Sequence, residues 1–406
     1  MAADHPLRAF DRGFLAYQAR NPQVSLGTGA VLVFPGRPPS LQDVREQLWG
    51  RLCELPPMNC RLDGGSWRQA RWTPAGSADP TLLIREHLTP ELGSAINELL
   101  KERFEGPLPL WRCWLVHGYS DQEFALLYLG HHALHDAPAI RRMADAALGP
   151  APKTDPLLVP TPQRPSLWAT ARGLANNVRS LVPVATQTAR DDFMHERRLS
   201  WGFISGLELN AIARKHDVTI NDVFLAGLTG VLRAWPDSPW HAGRTLWALV
   251  PVNTRNIGEG SHSGNRLSAF RVRLPCDEER PLRRLEVIAD RTAHGLRRGH
   301  QDAERGLPSM TPKWFGQFAV GRAMSSRYAQ LLTSCFPVVG GALSLAGRPA
   351  TKVIPALILP RGHHFSAGMA ISPDHTCVAF CADSSLATAD ELPARWLRSI
   401  QELKNE

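Results

Sequence analysis

The chain has 406 residues, enough for two domains or one large pseudo-symmetric unit, and 43% of them are hydrophobic, which excludes a disordered chain. Its net charge is +8 at pH 7 and its pI is about 9.4, a balance that favours an anionic partner. The sequence has no zinc-finger spacing, RNP-like aromatic run or basic amphipathic helix, so no nucleic-acid partner is expected.

Cysteine usage and hydropathy indicate the compartment. The seven cysteines are spread along the chain without a CxxC pair, a pattern typical of reduced, buried thiols. The sequence contains no signal peptide and no run of 18 apolar residues. We therefore expect a cytoplasmic protein whose contact with a membrane is peripheral at most.

The first third of the chain predicts alternating helices and strands. The predicted elements are a helix near residues 5–15, a strand over 28–34, a helix over 41–52 capped by Ser40, a hairpin over 60–74, a strand at 82–84 and a helix over 89–103. An apolar strand then follows Pro109-Leu110-Trp111 and turns at Ser120-Asp121. This pattern predicts a β-hairpin whose second strand leads into a histidine-rich segment.

The segment from Glu123 to Ile140 carries the most distinctive chemistry. A short apolar run of strand length breaks at Gly130 into the sequence HHALHD, and a helix opens directly after it. Adjacent residues in an extended chain point to opposite faces, so we expect one of His131 and His132 to face a cavity and the other to pack inward. A neutral imidazole is the natural general base at neutral pH.

Two other chemistries compete with a general base at this place. His131 and His135 are four residues apart with Asp136 adjacent, a spacing that suits zinc on a helix. The strand before Gly130 argues against a helix there, and no fourth ligand is evident, so no metal is expected. A serine hydrolase is disfavoured because the sequence has no G-x-S-x-G segment.

A proline-rich stretch divides the chain. Residues 149–165 hold six prolines and no helical period, which is typical of a linker. The boundary is placed here, giving an N-terminal subdomain of residues 1–165 and a C-terminal one of residues 166–406. The second subdomain predicts a connecting helix over 167–188, a strand over 199–203, helices over 207–215 and 219–235, strands over 247–255 and 271–274, and a helix over 281–298.

The histidine segment resembles a family motif. Residues 130–137, GHHALHDA, are similar to the HHxxxDG motif of the superfamily that includes chloramphenicol acetyltransferase, nonribosomal peptide condensation domains and the bacterial wax ester synthase/diacylglycerol acyltransferases. Ala137 replaces the motif glycine. Other segments resemble the wax ester synthase branch in the same order, namely Pro109-Leu110-Trp111 (PLW), Asn221-Asp222 (ND), Gly264-Asn265 (GN) and the turn SNVPGP at residues 333–341, where Ser334 and Pro337 match.

The resemblance implies roles for the motif residues. His132, the second histidine, is the expected general base, and His131 is a structural neighbour. Asp136 is expected to point away from the substrate and to hold the loop through a salt bridge with Arg255. Its position also suits a helix N-cap.

Residues outside the motif are candidates for binding the reacting groups. Ser334, Asn265 or backbone amides are candidates to stabilise the tetrahedral oxyanion. For His135, solvent exposure and a tunnel-lining position are the two alternatives.

The resemblance also implies a fold and a reaction. We expect an α/β fold (an α+β sandwich) of two chloramphenicol acetyltransferase-like subdomains set in a V, with a tunnel at their interface. The expected activity is direct transfer of an acyl group from a thioester to an alcohol, without a cofactor; acyl-CoA or a phosphopantetheine thioester is the donor substrate. An acyl carrier protein is thus a second candidate partner.

Two alternatives stay open. One is a stand-alone condensation-type enzyme that forms an ester or amide in natural-product biosynthesis, and the other is a degenerate, non-acylating member of the fold. The replacement of the motif glycine by Ala137 favours the first of these alternatives over ordinary wax ester synthesis.

Overall fold

The histidine segment lies at the end of a central strand in the first of two large sheets. The computed structural model describes residues 7–150, 196–253, 265–297, 313–338 and 343–406, apart from residues 65, 77, 105–106, 243–244 and 266. Nearly all of the predicted linker, the whole predicted connecting helix and Arg255 fall outside these ranges. The division into residues 1–165 and 166–406 therefore stays a prediction.

The first sheet surrounds the strand that carries the histidines. In the described residues its order is β13-β1-β6-β5-β4. The strands are β1 (Gly27–Pro35), β4 (Ile84–Leu88), β5 (Trp111–His117), β6 (Glu123–His131) and β13 (Lys352–Ala356). β6 is antiparallel to both of its neighbours, so the predicted hairpin of β5 and β6 is confirmed. Helices and the second sheet cover the two faces of the first sheet, which explains the continuous apolar sequence of its central strand β6.

The second sheet lies in the second half of the chain. Its order in the described residues is β7-β15-β14-β10-β8-β9. The strands are β7 (Arg197–Ile204), β8 (Trp247–Asn253), β9 (Leu267–Arg273), β10 (Leu331–Pro337), β14 (Phe365–Ile371) and β15 (Thr376–Asp383). β10 runs parallel to β8 and β14, and the other pairs are antiparallel. The segment predicted to be an SNVPGP-like turn is therefore mostly a strand, because Ser334 and Pro337 are paired with β14.

Helices pack against both sheets. They are α1 (Ala9–Arg20), α2 (Leu41–Leu52), α3 (Pro80–Leu83), α4 (Leu92–Leu99), α5 (Ala137–Leu148), α6 (Gly206–Lys215), α7 (Ile220–Ala234), α8 (Pro281–Arg297), α9 (Lys313–Ala323) and α10 (Leu392–Asn405). Two short hairpins are formed by β2 (Cys60–Asp63) with β3 (Arg71–Pro74) and by β11 (Ser344–Leu345) with β12 (Arg348–Pro349). Within the described residues, no helix combines the length and the apolar character needed to span a membrane.

Capping residues correctly predicted the starts of α2 and α7. Ser40 accepts a hydrogen bond from the Asp43 N–H at 3.1 Å and begins α2. Thr219 and Asp222 form the reciprocal capping box at the start of α7. The predicted strand at residues 82–84 is wrong, because Asp79 caps the short helix α3 and the strand begins only at Ile84.

The two halves of the chain share the first sheet. β13 comes from the second half, yet it pairs with β1 through five residue pairs from Gly29–Ala356 to Val33–Lys352. β13 thus lies at the edge of the first sheet, although β10 before it and β14 after it in the sequence both belong to the second sheet. The two halves are joined by main-chain hydrogen bonds in addition to side-chain packing.

A guanidinium also connects the halves. Arg197, the first residue of β7, donates hydrogen bonds to the carbonyl oxygens of Gly27 (3.2 Å), Leu357 (2.9 Å) and Leu100 (2.5 Å) and to the Ser25 hydroxyl (3.2 Å). Burial lowers the pKa of this side chain below its ordinary value. It fixes the start of β7 against the start of β1, where Gly27 is paired with His131.

Candidate active site

His131 is a structural residue in this geometry. Its side chain is only 2% exposed, and its Nδ1 accepts a hydrogen bond from the Ala133 N–H at 2.9 Å. Nε2 then carries the proton and donates it to the Gln18 side-chain oxygen at 2.5 Å. Burial lowers the pKa of His131 to about 3, so the ring is neutral at physiological pH. His131 therefore holds the turn that follows β6.

His132 faces a different environment. Its ring stacks on Phe14 of α1, with the ring centroids 4.0 Å apart and the planes inclined by 16°. Its main-chain N–H donates to the Leu26 carbonyl at 2.9 Å. The side chain is half-buried and lines a cavity of about 470 Å³. The two adjacent histidines thus face opposite surroundings, as the extended chain predicts.

The protonation of His132 is set mainly by burial. Burial lowers the pKa of His132 from its ordinary value of 6.5, and this effect is opposed in part by its own backbone carbonyl, by Asp136 and by the Asn265 side chain. Nδ1 is buried and makes no hydrogen bond within the described residues. The ring is neutral at pH 7, which is the form a general base requires.

His135 lies behind the loop and not in the cavity. It is 3% exposed, and its Nε2 lies 2.6 Å from the Tyr128 hydroxyl. The two alternatives for this residue, solvent exposure and a tunnel-lining position, are both wrong because the chain folds back over β6. Gly130 makes room for the ring: a Cβ at that position would lie 2.4 Å from His135 Nε2.

Asp136 begins α5. Its carboxylate accepts a hydrogen bond from the Ala139 N–H at 3.1 Å, and it is 2% exposed at the cavity wall. Ala137 is the first residue of this helix and does not have the positive φ that favours glycine. Replacing the motif glycine by alanine therefore does not strain the backbone here; it adds a methyl group to the cavity wall. The Asp136–Arg255 salt bridge stays a prediction.

Asn265 contacts the main chain of His132. Its Nδ2 donates one hydrogen bond to the His132 carbonyl at 2.7 Å and another to Asp11 Oδ1 at 2.9 Å. Both amide hydrogens are thus directed to protein acceptors, and Asn265 is not among the residues that line the cavity. In this structure it supports the histidine loop and has no hydrogen free to stabilise an oxyanion.

The cavity next to His132 has a volume of about 470 Å³ and is mostly apolar. Both halves of the chain contribute to its wall, through α1, β1 and α5 on one side and α9, β8, β10 and β14 on the other. Ser334 lines it from β10. Its polar lining groups include His132, Asp136, Thr28, Ser268, Ser334, Ser366 and Tyr328. Such a cavity accommodates an extended alkyl chain with a reactive polar end.

Three of the predicted site residues, His132, Asp136 and Ser334, line this cavity, but the contribution of α1 was not predicted. Phe14 stacks on the catalytic candidate, and Asp11 holds the amide that supports it. The spacing of three residues between Asp11 and Phe14 on a predicted helix was the available signal, since such residues share a face. Within the described residues, no group of three or more histidine, cysteine, aspartate or glutamate side chains could hold a metal ion.

Comparison with known proteins shows which acyltransferases the chain resembles. Residues 7–191 match the family model of the wax ester synthase/diacylglycerol acyltransferase catalytic domain. The chain is 24% identical over 395 residues to a Mycobacterium tuberculosis protein named as a probable diacylglycerol O-acyltransferase, covering 86% of this chain and 84% of that one. It is also 24% identical over 360 residues to the O-acyltransferase WSD of Acinetobacter baylyi, covering 75% and 74%.

Solved structures agree on the architecture. The wax ester synthase/diacylglycerol acyltransferase of Marinobacter aquaeolei VT8 superposes with a TM-score of 0.67 at 17% identity, over 99% of both chains. The first condensation domain of the CDA synthetase superposes equally well, with a TM-score of 0.67 at 14% identity over 99% of this chain and 95% of that one. The predicted α/β fold class is confirmed. The chain resembles the wax ester synthase/diacylglycerol acyltransferases over the residues that their family model matches, and it shares its fold with them and with condensation domains.

Proposed function

We propose that the chain transfers an acyl group from a thioester to an alcohol, with His132 as the general base. The observation that carries the proposal is an imidazole, with a pKa that burial lowers, at the wall of a mostly apolar cavity of about 470 Å³ built from both halves of the chain. The names of the O-acyltransferase relatives support the same reaction class.

The proton transfers follow from the tautomer of His132. Its Nδ1 is buried, and of the two ring nitrogens only Nδ1 can reach the carbonyl of its own residue, so the tautomer we propose has the proton on Nδ1 and the lone pair on Nε2. Nε2 takes the hydroxyl proton of the acceptor as its oxygen attacks the thioester carbonyl. The tetrahedral intermediate then collapses, the C–S bond breaks, and the proton passes to the leaving thiolate. The step balances without a metal or a redox partner.

The oxyanion of the tetrahedral intermediate needs hydrogen-bond donors. Of the two candidate side chains, Ser334 lines the cavity, whereas both amide hydrogens of Asn265 are already committed to protein acceptors. Ser334, alone or with backbone amides, is therefore the donor we propose. Ser334→Ala is expected to lower kcat without preventing acceptor binding.

The acyl donor is a second part of the proposal. Acyl-CoA is the donor we propose, and the basic net charge of the chain suits its phosphates. A carrier-protein thioester is the second candidate, supported by the equal fold likeness to condensation domains. The starter condensation domain of rhizomide synthetase, which has the same fold, was crystallised with C8-CoA, so this architecture accommodates a CoA thioester in at least one relative.

A substrate panel separates these functions. The purified full chain is assayed with acyl-CoA or an acyl-loaded carrier protein as donor, and with a long-chain alcohol, a diacylglycerol or an amine as acceptor. We expect ester formation from acyl-CoA and an alcohol, and loss of that activity in His132→Ala. Activity with the loaded carrier protein alone would support a condensation-type enzyme. A folded protein inactive with every pair would support the non-acylating alternative.

A further inference from the structure

The N-terminal helix contacts His132 from two directions. Phe14 of α1 covers one face of the imidazole, at a centroid distance of 4.0 Å. One turn earlier on the same helix, Asp11 accepts hydrogen bonds from both the main-chain N–H (3.3 Å) and the side-chain amide (2.9 Å) of Asn265. That amide also donates to the His132 carbonyl at 2.7 Å. One helix face thus restrains both the ring and the main chain of the proposed base.

This network is buried and connects distant parts of the sequence. Asp11 is 3% exposed and Asn265 is 1% exposed, and the two are 254 residues apart. A carboxylate in such a place is costly unless its oxygens are hydrogen-bonded, and here the second oxygen accepts the Arg8 N–H at 3.1 Å. The contacts of Asn265 use both of its amide hydrogens, so its orientation is fixed by two acceptors at once.

The carbonyl held by Asn265 belongs to the same residue as the imidazole, and of the two ring nitrogens only Nδ1 is close enough along the side chain to reach it. The direction of that carbonyl influences which ring nitrogen keeps the proton. With the carbonyl in its observed place, a proton on Nδ1 is favoured, and Nε2 is left as the basic nitrogen. If the carbonyl rotates away, the buried Nδ1 loses this interaction and the tautomer preference falls.

We propose that Asp11 and Asn265 are positioning residues that act through the main-chain carbonyl of His132, orienting the imidazole and keeping its proton on Nδ1. The reaction they serve rests on the proposed function, but the tautomer of His132 can be measured without any substrate. The relay extends from α1 through the segment before β9 to the histidine loop, so it depends on both halves of the chain.

The test combines nitrogen NMR with kinetics on the full-length chain. Ring nitrogens are labelled with ¹⁵N in histidine, and the His132 signals are assigned by their loss in His132→Ala. In the wild type at neutral pH we expect the Nδ1–H tautomer to dominate. In Asn265→Ala we expect a mixture of tautomers, with kcat lower by roughly tenfold to a hundredfold and KM within about threefold. Asp11→Asn, which keeps the shape of the side chain, is expected to give a smaller change in the same direction.

Asn97 provides a matched control. Its side-chain oxygen accepts a hydrogen bond from the Leu199 N–H at 2.8 Å, so it also ties two elements together, but it does not line the cavity or contact the histidine loop. Asn97→Ala is expected to lower the stability without changing the tautomer of His132. The proposal is overturned if wild-type His132 carries its proton on Nε2, or if kcat falls in Asn265→Ala while the tautomer stays unchanged. A wild-type enzyme inactive with every substrate would refute the proposed function, while the tautomer measurement would still decide the relay.

Discussion

Replacing Asp11 by asparagine should change how the stability of the chain depends on pH. Burial raises the pKa of Asp11 from 3.8 to about 6, against the opposing effect of hydrogen bonds from Asn265 and the Arg8 main chain and of the Arg8 charge. The folded chain therefore binds a proton at Asp11 over a pH range in which the unfolded chain has lost it. Stability that depends on this group is fully present at low pH and is lost as the pH rises toward 6 and above.

The size of the effect follows from the two pKa values. A pKa of about 6 in the folded chain and 3.8 in a solvated carboxyl correspond to a loss of about 3 kcal/mol of unfolding free energy above pH 7, at about 1.4 kcal/mol per pKa unit. About 1.3 kcal/mol of this total falls between pH 5 and pH 7. Asparagine keeps an oxygen that accepts from Asn265 but carries no charge, so it does not titrate.

Chemical denaturation of the wild type and Asp11→Asn at several pH values between 5 and 7.5 measures this effect. The advantage of the variant over the wild type is expected to grow by about 1.3 kcal/mol between pH 5 and pH 7. The buried histidines have pKa values lowered by burial and give the opposite slope, but they are common to both proteins and cancel in the difference. A difference that is independent of pH, or that shrinks as the pH rises, would refute the raised pKa of Asp11.

Three further substitutions test other contacts. Phe14→Leu keeps an apolar side chain but removes the ring stacked on His132, so kcat should fall about tenfold in steady-state assays, with KM nearly unchanged; a wild-type kcat would show that the stack is dispensable. Arg197→Met removes four hydrogen bonds, three of them between the halves, and should lower the unfolding free energy by about 3 kcal/mol or more in denaturant titration, whereas a loss below about 1 kcal/mol would contradict that role. Gly130→Ala places a Cβ against His135 and should cost about 1–3 kcal/mol in thermal unfolding, so an unchanged midpoint would contradict the close approach.

Local signals in the sequence predicted much of the fold. Ser40 and Thr219 begin helices because their side chains satisfy free N–H groups at the helix N-terminus, and such caps can be read from three or four residues. The apolar runs at β5 and β6 likewise predicted these two strands directly. The strand predicted at residues 82–84 was wrong because a three-residue apolar run suits a helix as well as a strand. The cap at Asp79 favours the helix at this place.

The order of the strands within the sheets could not be predicted from local sequence patterns. β13 is five residues long and lies next to β1, more than 300 residues earlier in the chain, where its pairing completes the edge of the first sheet. No periodicity within residues 352–356 specifies that partner. The same holds for Arg197, whose acceptors come from three separate segments. Tertiary packing determines such contacts.

The site shows the same division between local and distant information. The sequence around His132 correctly predicted a strand, a loop and a capped helix. Because adjacent residues in an extended chain point in opposite directions, it also predicted that the two histidines have different surroundings. The burial of His135 was missed, because Gly130 allows a fold-back that a linear pattern does not show. The pairing of Asp11 with Asn265 was missed because it spans 254 residues.

The pH dependence of acyl transfer by the wild type and His132→Gln tests the central claim most directly. With acyl-CoA and a long-chain alcohol, kcat/KM of the wild type should rise with pH to a plateau, with its midpoint below 6.5 because burial lowers the pKa of His132. Glutamine has a comparable shape but cannot accept the proton, so the variant should lose roughly a hundredfold to ten-thousandfold in rate and this titration with it. A variant that turns over at the wild-type rate, or that keeps the same pH midpoint, would contradict the assignment of His132 as the base.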